Sequence, residues 1–211
     1  AGKDKIGTNY GSQHYGMYGK AATFLTADKN TIALGIGYLA RLNLDGSSGG
    51  MDFNGPAIGH KITTPKGDLL VQPASAVISN DGKKIYFTGY HNCVYFSPAA
   101  NFLWAQDWTS YHHIYEMDIN SNEPPKIFLG DPLKSGDDEK SFNMPVHMCL
   151  DDKNRLYICD YLNNRIQILD ENKKLLKSVK MDSPAFITVL PKSKEVVVVS
   201  YVVPNKVFAK N

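Results

Sequence analysis

Cysteine is scarce in this chain, with three residues among 211: Cys93, Cys149 and Cys159. None stands in a Cys-x-x-Cys pair, so neither a zinc ribbon nor covalent haem attachment is encoded. Cys149 and Cys159 fall inside apolar stretches and are expected to behave as small buried hydrophobes. Long apolar runs are missing too; none approaches the ~18–20 residues that a membrane span requires. An excess of one charge is also lacking. The chain has 23 Lys and Arg against 21 Asp and Glu, a formal net charge of +2. That balance gives no electrostatic footprint for nucleic acid. The locally basic stretches Lys173–Lys177 and Lys192–Lys194 read as solvated turns and strand edges. A serine-hydrolase nucleophile elbow is not read anywhere in the chain. No signal peptide is recognised, and the abrupt opening at Ala1-Gly2 does not say where the chain works; an extracytoplasmic setting, secreted or periplasmic, is the expectation.

What the chain does have is one pattern repeated four times. An apolar stretch, a tight polar turn and a second apolar stretch lead to a tyrosine. The copies run Ala21–Tyr38, Pro73–Tyr90, Pro145–Tyr161 and Pro184–Tyr201, each 17 or 18 residues long. Their turns carry Asp28-Lys29-Asn30, Asn80-Asp81-Gly82, Asp151-Asp152-Lys153-Asn154 and Pro191-Lys192-Ser193. Most of these residues tolerate positive φ or cap their own backbone, as hairpin turns demand. The second stretches, such as Leu156–Cys159 and Val196–Val199, are apolar without alternation, which predicts strands covered on both faces.

Further apolar segments follow each tyrosine: Ala40–Leu44, Ile114–Asp118, Arg165–Leu169 and Lys206–Ala209, then Lys126–Leu129 and Leu175–Val179. Three to four antiparallel strands per repeat predict the blades of a β-propeller. The whole chain, 1–211, is expected to be one all-β propeller domain or part of one. Its units lie near 21–70, 73–130, 145–180 and 184–211. The closing tyrosines stand 52, 71 and 40 residues apart, so the array is divergent and carries insertions. The last unit stops at its third strand. The expectation is therefore part of a larger ring, with closure of four blades by residues 1–20 as the alternative.

The stretch Met144–Leu176 resembles an NHL repeat. Pro145, Asp160, Asn163, Arg165 and Ile166 occupy that family's consensus places: the opening proline, the Asp ending the second strand and the Asn-x-Arg-Ile segment. The resemblance implies an NHL-repeat β-propeller, commonly of about six blades, with the Asp160–Arg165 pair tying strand two to strand three. The other three copies keep the hairpin without the Asp and the Arg.

Candidate chemistry lies in the insertions and at the starts of the first strands. The glycine-rich Asp45–His60 has no Gly-Lys-Ser/Thr ending and leads into no helix, so it reads as a loop over one face. His91–His113 holds both tryptophans, Trp104 and Trp108, with Phe102 and Tyr111. Long insertions in compact repeats are often functional, and aromatic anchors dominate interfaces. Thr23, Ser75, His147 and Phe186 occupy one equivalent position, two residues into each first strand, where they are expected to ring the channel mouth. His113 is placed with them as a binding residue. His112 and His113 at a strand start would point to opposite faces.

Two metals follow from resemblance. In an NHL-like amidating lyase, histidines near the place of His147 bind zinc. In gluconolactonase-like propellers, Asn, Asp and Glu at the channel floor hold calcium, and Asn143 is the nearest match here. A zinc site needs three protein ligands and an open position, and no other copy has a histidine at the place of His147. The acidic connection Asp131–Glu139 lacks the spacing of a calcium loop. No cofactor is therefore predicted, with Zn or Ca at His147 as the alternative. The function expected is a non-catalytic scaffold binding a protein partner, a ligand or a chain that completes the propeller. The alternatives are a metal-dependent lyase or hydrolase with His147 as a ligand, and RNA binding as in some NHL propellers.

Overall fold

The computed structural model describes the backbone of residues 22–25, 31–35, 38–42, 48–52, 60–64, 67–90, 112–118, 125–132 and 134–200. Side chains are described for 75–88, 112–118, 125–132 and 134–200. Among these residues the chain is all-β apart from a single 3-10 turn, Tyr161–Asn163. No helix among them is long and apolar enough to cross a membrane.

Blade 1 is the antiparallel sheet β1 (Ala22–Leu25), β2 (Thr31–Gly35), β3 (Tyr38–Leu42) and β4 (Ser48–Asp52). Blade 2 comprises β5 (His60–Thr64), β6 (Gly67–Ile78), β7 (Lys84–Tyr90), β8 (His112–Asp118) and β9 (Lys126–Asp131). The long β6 first pairs with β5 and then, from Gln72 onward, with β7. Blade 3 is β10 (Pro145–Leu150), β11 (Leu156–Asp160), β12 (Arg165–Leu169) and β13 (Leu175–Lys180). Blade 4 contributes β14 (Pro184–Val189) and β15 (Val196–Ser200). Strands pair in sequence order within each sheet, the up-and-down meander of a β-propeller. The opening strands β6, β10 and β14 of blades 2–4 stand side by side.

The glycine-rich stretch Asp45–His60 departs from its expectation as a loop. Its residues Ser48–Asp52 form β4, the outer strand of blade 1. Glycine is a poor strand former, which hides such an edge strand from a propensity reading. Trp104, Trp108, Phe102 and Tyr111 lie outside the described residues, as do Lys206–Ala209 and residues 1–20.

The hairpin turns behave as their residues dictate. Asp151 Oδ1 accepts the Lys153 and Arg155 N–H groups, and Asp170 Oδ1 accepts those of Asn172 and Lys174. Gly82 and Asn154 take the left-handed conformation. Strand β11 is buried along its whole length. Leu156 and Ile158 join a core shared with blade 2, while Tyr157 and Cys159 join Ile187 of blade 4. Both faces of this apolar run are thus covered, as its lack of alternation predicts.

Candidate functional site

The equivalent first-strand position does structural work in the two blades where its partners are described. Ser75 Oγ accepts the backbone N–H of Met148 at 3.2 Å. His147 Nδ1 accepts the backbone N–H of Ile187 at 3.4 Å. Ser75 and His147 stand two residues after Pro73 and Pro145, and Met148 and Ile187 three after Pro145 and Pro184. In blades 2 and 3 this side chain therefore caps an amide of the next blade's opening strand. These amides are free because an opening strand has a sheet partner on one side only. Phe186 fills the same place in blade 4, where it stacks on the His147 ring at 4.3 Å between centroids and stays 40% exposed. Thr23 sits opposite Ala33 in β1.

His112 and His113 open β8 and are both fully buried. His112 Nδ1 accepts the Met144 N–H, which holds the entry to blade 3, and the His113 ring packs edge-on against Tyr115 at 4.3 Å. Neither is placed beside His147 by any described contact. Cys149 and Cys159 lie on the blade 4 side of β10 and β11, where burial pushes each thiol up to about 12. Cys159 is a small buried hydrophobe, as expected, and Cys149 beside it is half-buried. Among the described residues no three His, Cys, Asp or Glu side chains converge to hold a metal ion. The letters Gly46-Ser47-Ser48-Gly49-Gly50 spell GxSxG, which the sequence reading missed. Ser48 opens strand β4 rather than a strand-to-helix turn, so this is not a nucleophile elbow.

Asp160 ends strand β11 and is the centre of a second bonded group. Its side chain is fully buried and accepts from Arg165 Nε at 2.7 Å, Asn163 Nδ2 at 2.8 Å and the Asn143 N–H at 2.7 Å. Burial pushes its carboxyl above the ordinary value, and these three donors pull against that push. The Arg165 fork then reaches the carbonyls of Asp137, Asp138 and Ser141. Asn163 adds the Gly136 carbonyl and Gln167 a second bond to that of Ser141. The acidic connection between blades 2 and 3 stays largely exposed, as a solvated link does, but its backbone carbonyls are pinned by blade 3. Backbone carbonyl geometry of this kind leaves no signal in a sequence.

Residues 142–169 match the NHL repeat. That stretch contains Asp160, Asn163 and Arg165, and the Asp160–Arg165 pair ties strand two to strand three, as the resemblance implied. Solved structures similar to the whole chain are propeller-like. The extracellular domain of BT4673 from B. thetaiotaomicron matches at a TM-score of 0.50 and 8% identity, covering 89% of this chain and 21% of its own. Virginiamycin B lyase from Staphylococcus aureus matches at 0.44 and 16%, covering 86% and 55%. The periplasmic gluconolactonase of Pseudomonas aeruginosa matches at 0.44 and 12%, covering 85% and 42%. This chain therefore spans about half the length of these proteins, or less. At such identities the likeness is one of fold.

Proposed function

We propose that the chain is a non-catalytic β-propeller scaffold that holds a protein partner or ligand against its channel mouth and aromatic insertion, in a secreted or periplasmic setting. The observation that carries this reading is the use of the polar groups at the equivalent first-strand position: Ser75 Oγ and His147 Nδ1 each accept an amide of the next blade. Beside them the Phe186 ring lies against His147 and is 40% exposed, a contact surface rather than a reacting group. Trp104, Trp108, Phe102 and Tyr111 would supply the anchors of the insertion, since buried aromatics carry most interface energy.

Elemental analysis of the natively purified protein tests the reading against its rival. The scaffold predicts no stoichiometric metal. One equivalent of zinc or calcium, lost in His147→Ala, would instead establish the metal-dependent lyase or hydrolase. A salt-sensitive mobility shift with RNA would favour the nucleic-acid alternative.

A further inference from the structure

The aromatic insertion that joins β7 to β8 returns to the sheet at His112, the first residue of β8. That histidine is fully buried, and its Nδ1 accepts the Met144 N–H at 3.1 Å. A backbone N–H can only donate, so Nδ1 carries no proton and the imidazole is neutral, with its hydrogen on Nε2. The residue it holds needs holding. Met144 is buried and stands at φ 63, a left-handed conformation, directly before Pro145. A side chain with a Cβ and a following proline both disfavour that backbone unless its groups are tied down. The second tie is the Met144 carbonyl, which accepts the Tyr161 N–H at 3.2 Å. His112 is seated closely from β9. A Cβ at Gly130, whose φ is 91, would run into the His112 carbonyl and lie 2.8 Å from the His113 Cα.

We propose that the His112–Met144 bond is a proton-operated latch between the aromatic insertion and blade 3, closed with neutral imidazole and opened when His112 takes a proton in mild acid. Protonation sets an N–H on Nδ1 against the Met144 N–H, two donors with no acceptor between them. The bond is lost, Met144 is left in its left-handed conformation with the amide unbonded, and the root of the insertion is uncoupled from blade 3. Imidazole is the side chain whose ordinary pKa, about 6.5, suits such a change. The titratable and charged groups around the ring set where it falls. Asp131 stands opposite His112 in β9, and its Oδ1 accepts the Lys134 N–H. His113 follows in β8. On the blade 3 side are Tyr161 and Asp160, and Asp160 is already matched by Arg165, Asn163 and the Asn143 N–H. The described register of β7 with β8 closes at this end with Thr88 opposite Ile114 and brings no charge there. The inference names a regulation of the insertion and rests on the scaffold reading.

NMR of the 15N-labelled chain from about pH 8 to about pH 5 reads the latch. The emission of Trp104 and Trp108, the chain's two tryptophans, reads the insertion. At the upper end His112 should show an unprotonated Nδ1 and the Met144 amide should be protected. As His112 titrates, Met144 exchange, corrected for its intrinsic pH dependence, should accelerate about tenfold or more. Tryptophan emission should shift with the same midpoint. The β11 amides should stay protected, which separates latch opening from global unfolding. His112→Asn puts a non-titrating oxygen at the place of Nδ1 and should abolish both changes. A protonated Nδ1 at about pH 8, or a His112 that stays neutral down to about pH 5, would overturn the proposal. So would Met144 exchange or tryptophan emission that does not follow the His112 midpoint, or the same transition in His112→Asn. Should that variant not fold, the titration of the parent chain decides alone. Stoichiometric metal in the elemental analysis would remove the scaffold reading without altering these titrations, and a flat titration would remove the latch without supplying a metal, so the two failures are distinct.

Discussion

Arg165 illustrates how one side chain can serve two levels of structure. Its Nε neutralises a carboxylate that water does not reach, and its outer nitrogens gather three carbonyls of the incoming connection. Arg165→Ala leaves Asp160 buried without its counter-charge and should cost about 3–5 kcal/mol in urea unfolding. Arg165→Lys should recover little of this, because an ammonium cannot reproduce the planar fork. Asp151 makes a second, pH-dependent prediction. Burial alone would raise its carboxyl, but the Arg155 N–H and guanidinium and the Lys153 N–H outweigh that, holding it below the ordinary 3.8. A folded pKa below the unfolded one means stability is fully present above 3.8 and is lost as pH falls through the folded value. Asp151→Asn should therefore be less stable at neutral pH and show a shallower loss of stability on the acid side. Urea midpoints from neutral pH down to about pH 2 read both effects.

At the scale of the strand, the recurring side-chain-to-amide latch is the device that sets neighbouring blades in register. Ser75→Ala leaves the Met148 N–H, in a residue only 1% exposed, without its acceptor. The cost should be roughly 1–3 kcal/mol, and native-state exchange at the Met148 amide should accelerate. Ser75→Thr keeps the hydroxyl, and threonine is the residue at the equivalent position 23, so it should behave close to the parent. The sequence showed this position as a repeat of Thr23, Ser75, His147 and Phe186 but not its purpose, because the partner amide belongs to another blade. Strand β11 was legible from its unbroken apolar run, but the same signal in Val196–Val199 misled as to burial, since four of the five residues of β15 are exposed. Strand β4 was not, because Ser48-Gly49-Gly50 carries no strand signal and its pairing comes from β3 alone. The pinned connection 134–141 was equally hidden, its acidic side chains suggesting solvent while its carbonyls face Arg165.

Over the whole molecule, stability in a repeat array is approximately a sum of intrinsic blade terms and seams between neighbours. Blade 3 has a seam on each face and blade 4, in its described strands, has one. The two central strands therefore carry similar apolar runs in unequal settings. Full burial of one such side chain is worth about 1.5–3 kcal/mol, and Val197 and Val199 are each close to half exposed. Together they forgo roughly 2 kcal/mol relative to their counterparts Tyr157 and Cys159. The amides of β15 should accordingly exchange through a local opening about 2 kcal/mol below that of β11, whose amides should report the highest free energy among the described strands. Native-state hydrogen exchange across a denaturant series measures both. If β15 and β11 share one isotherm, the molecule opens as a single unit and the seam of blade 4 is already satisfied. If β15 opens first, blade 4 is less stable than blade 3, and the half-exposed valines of its central strand set that difference.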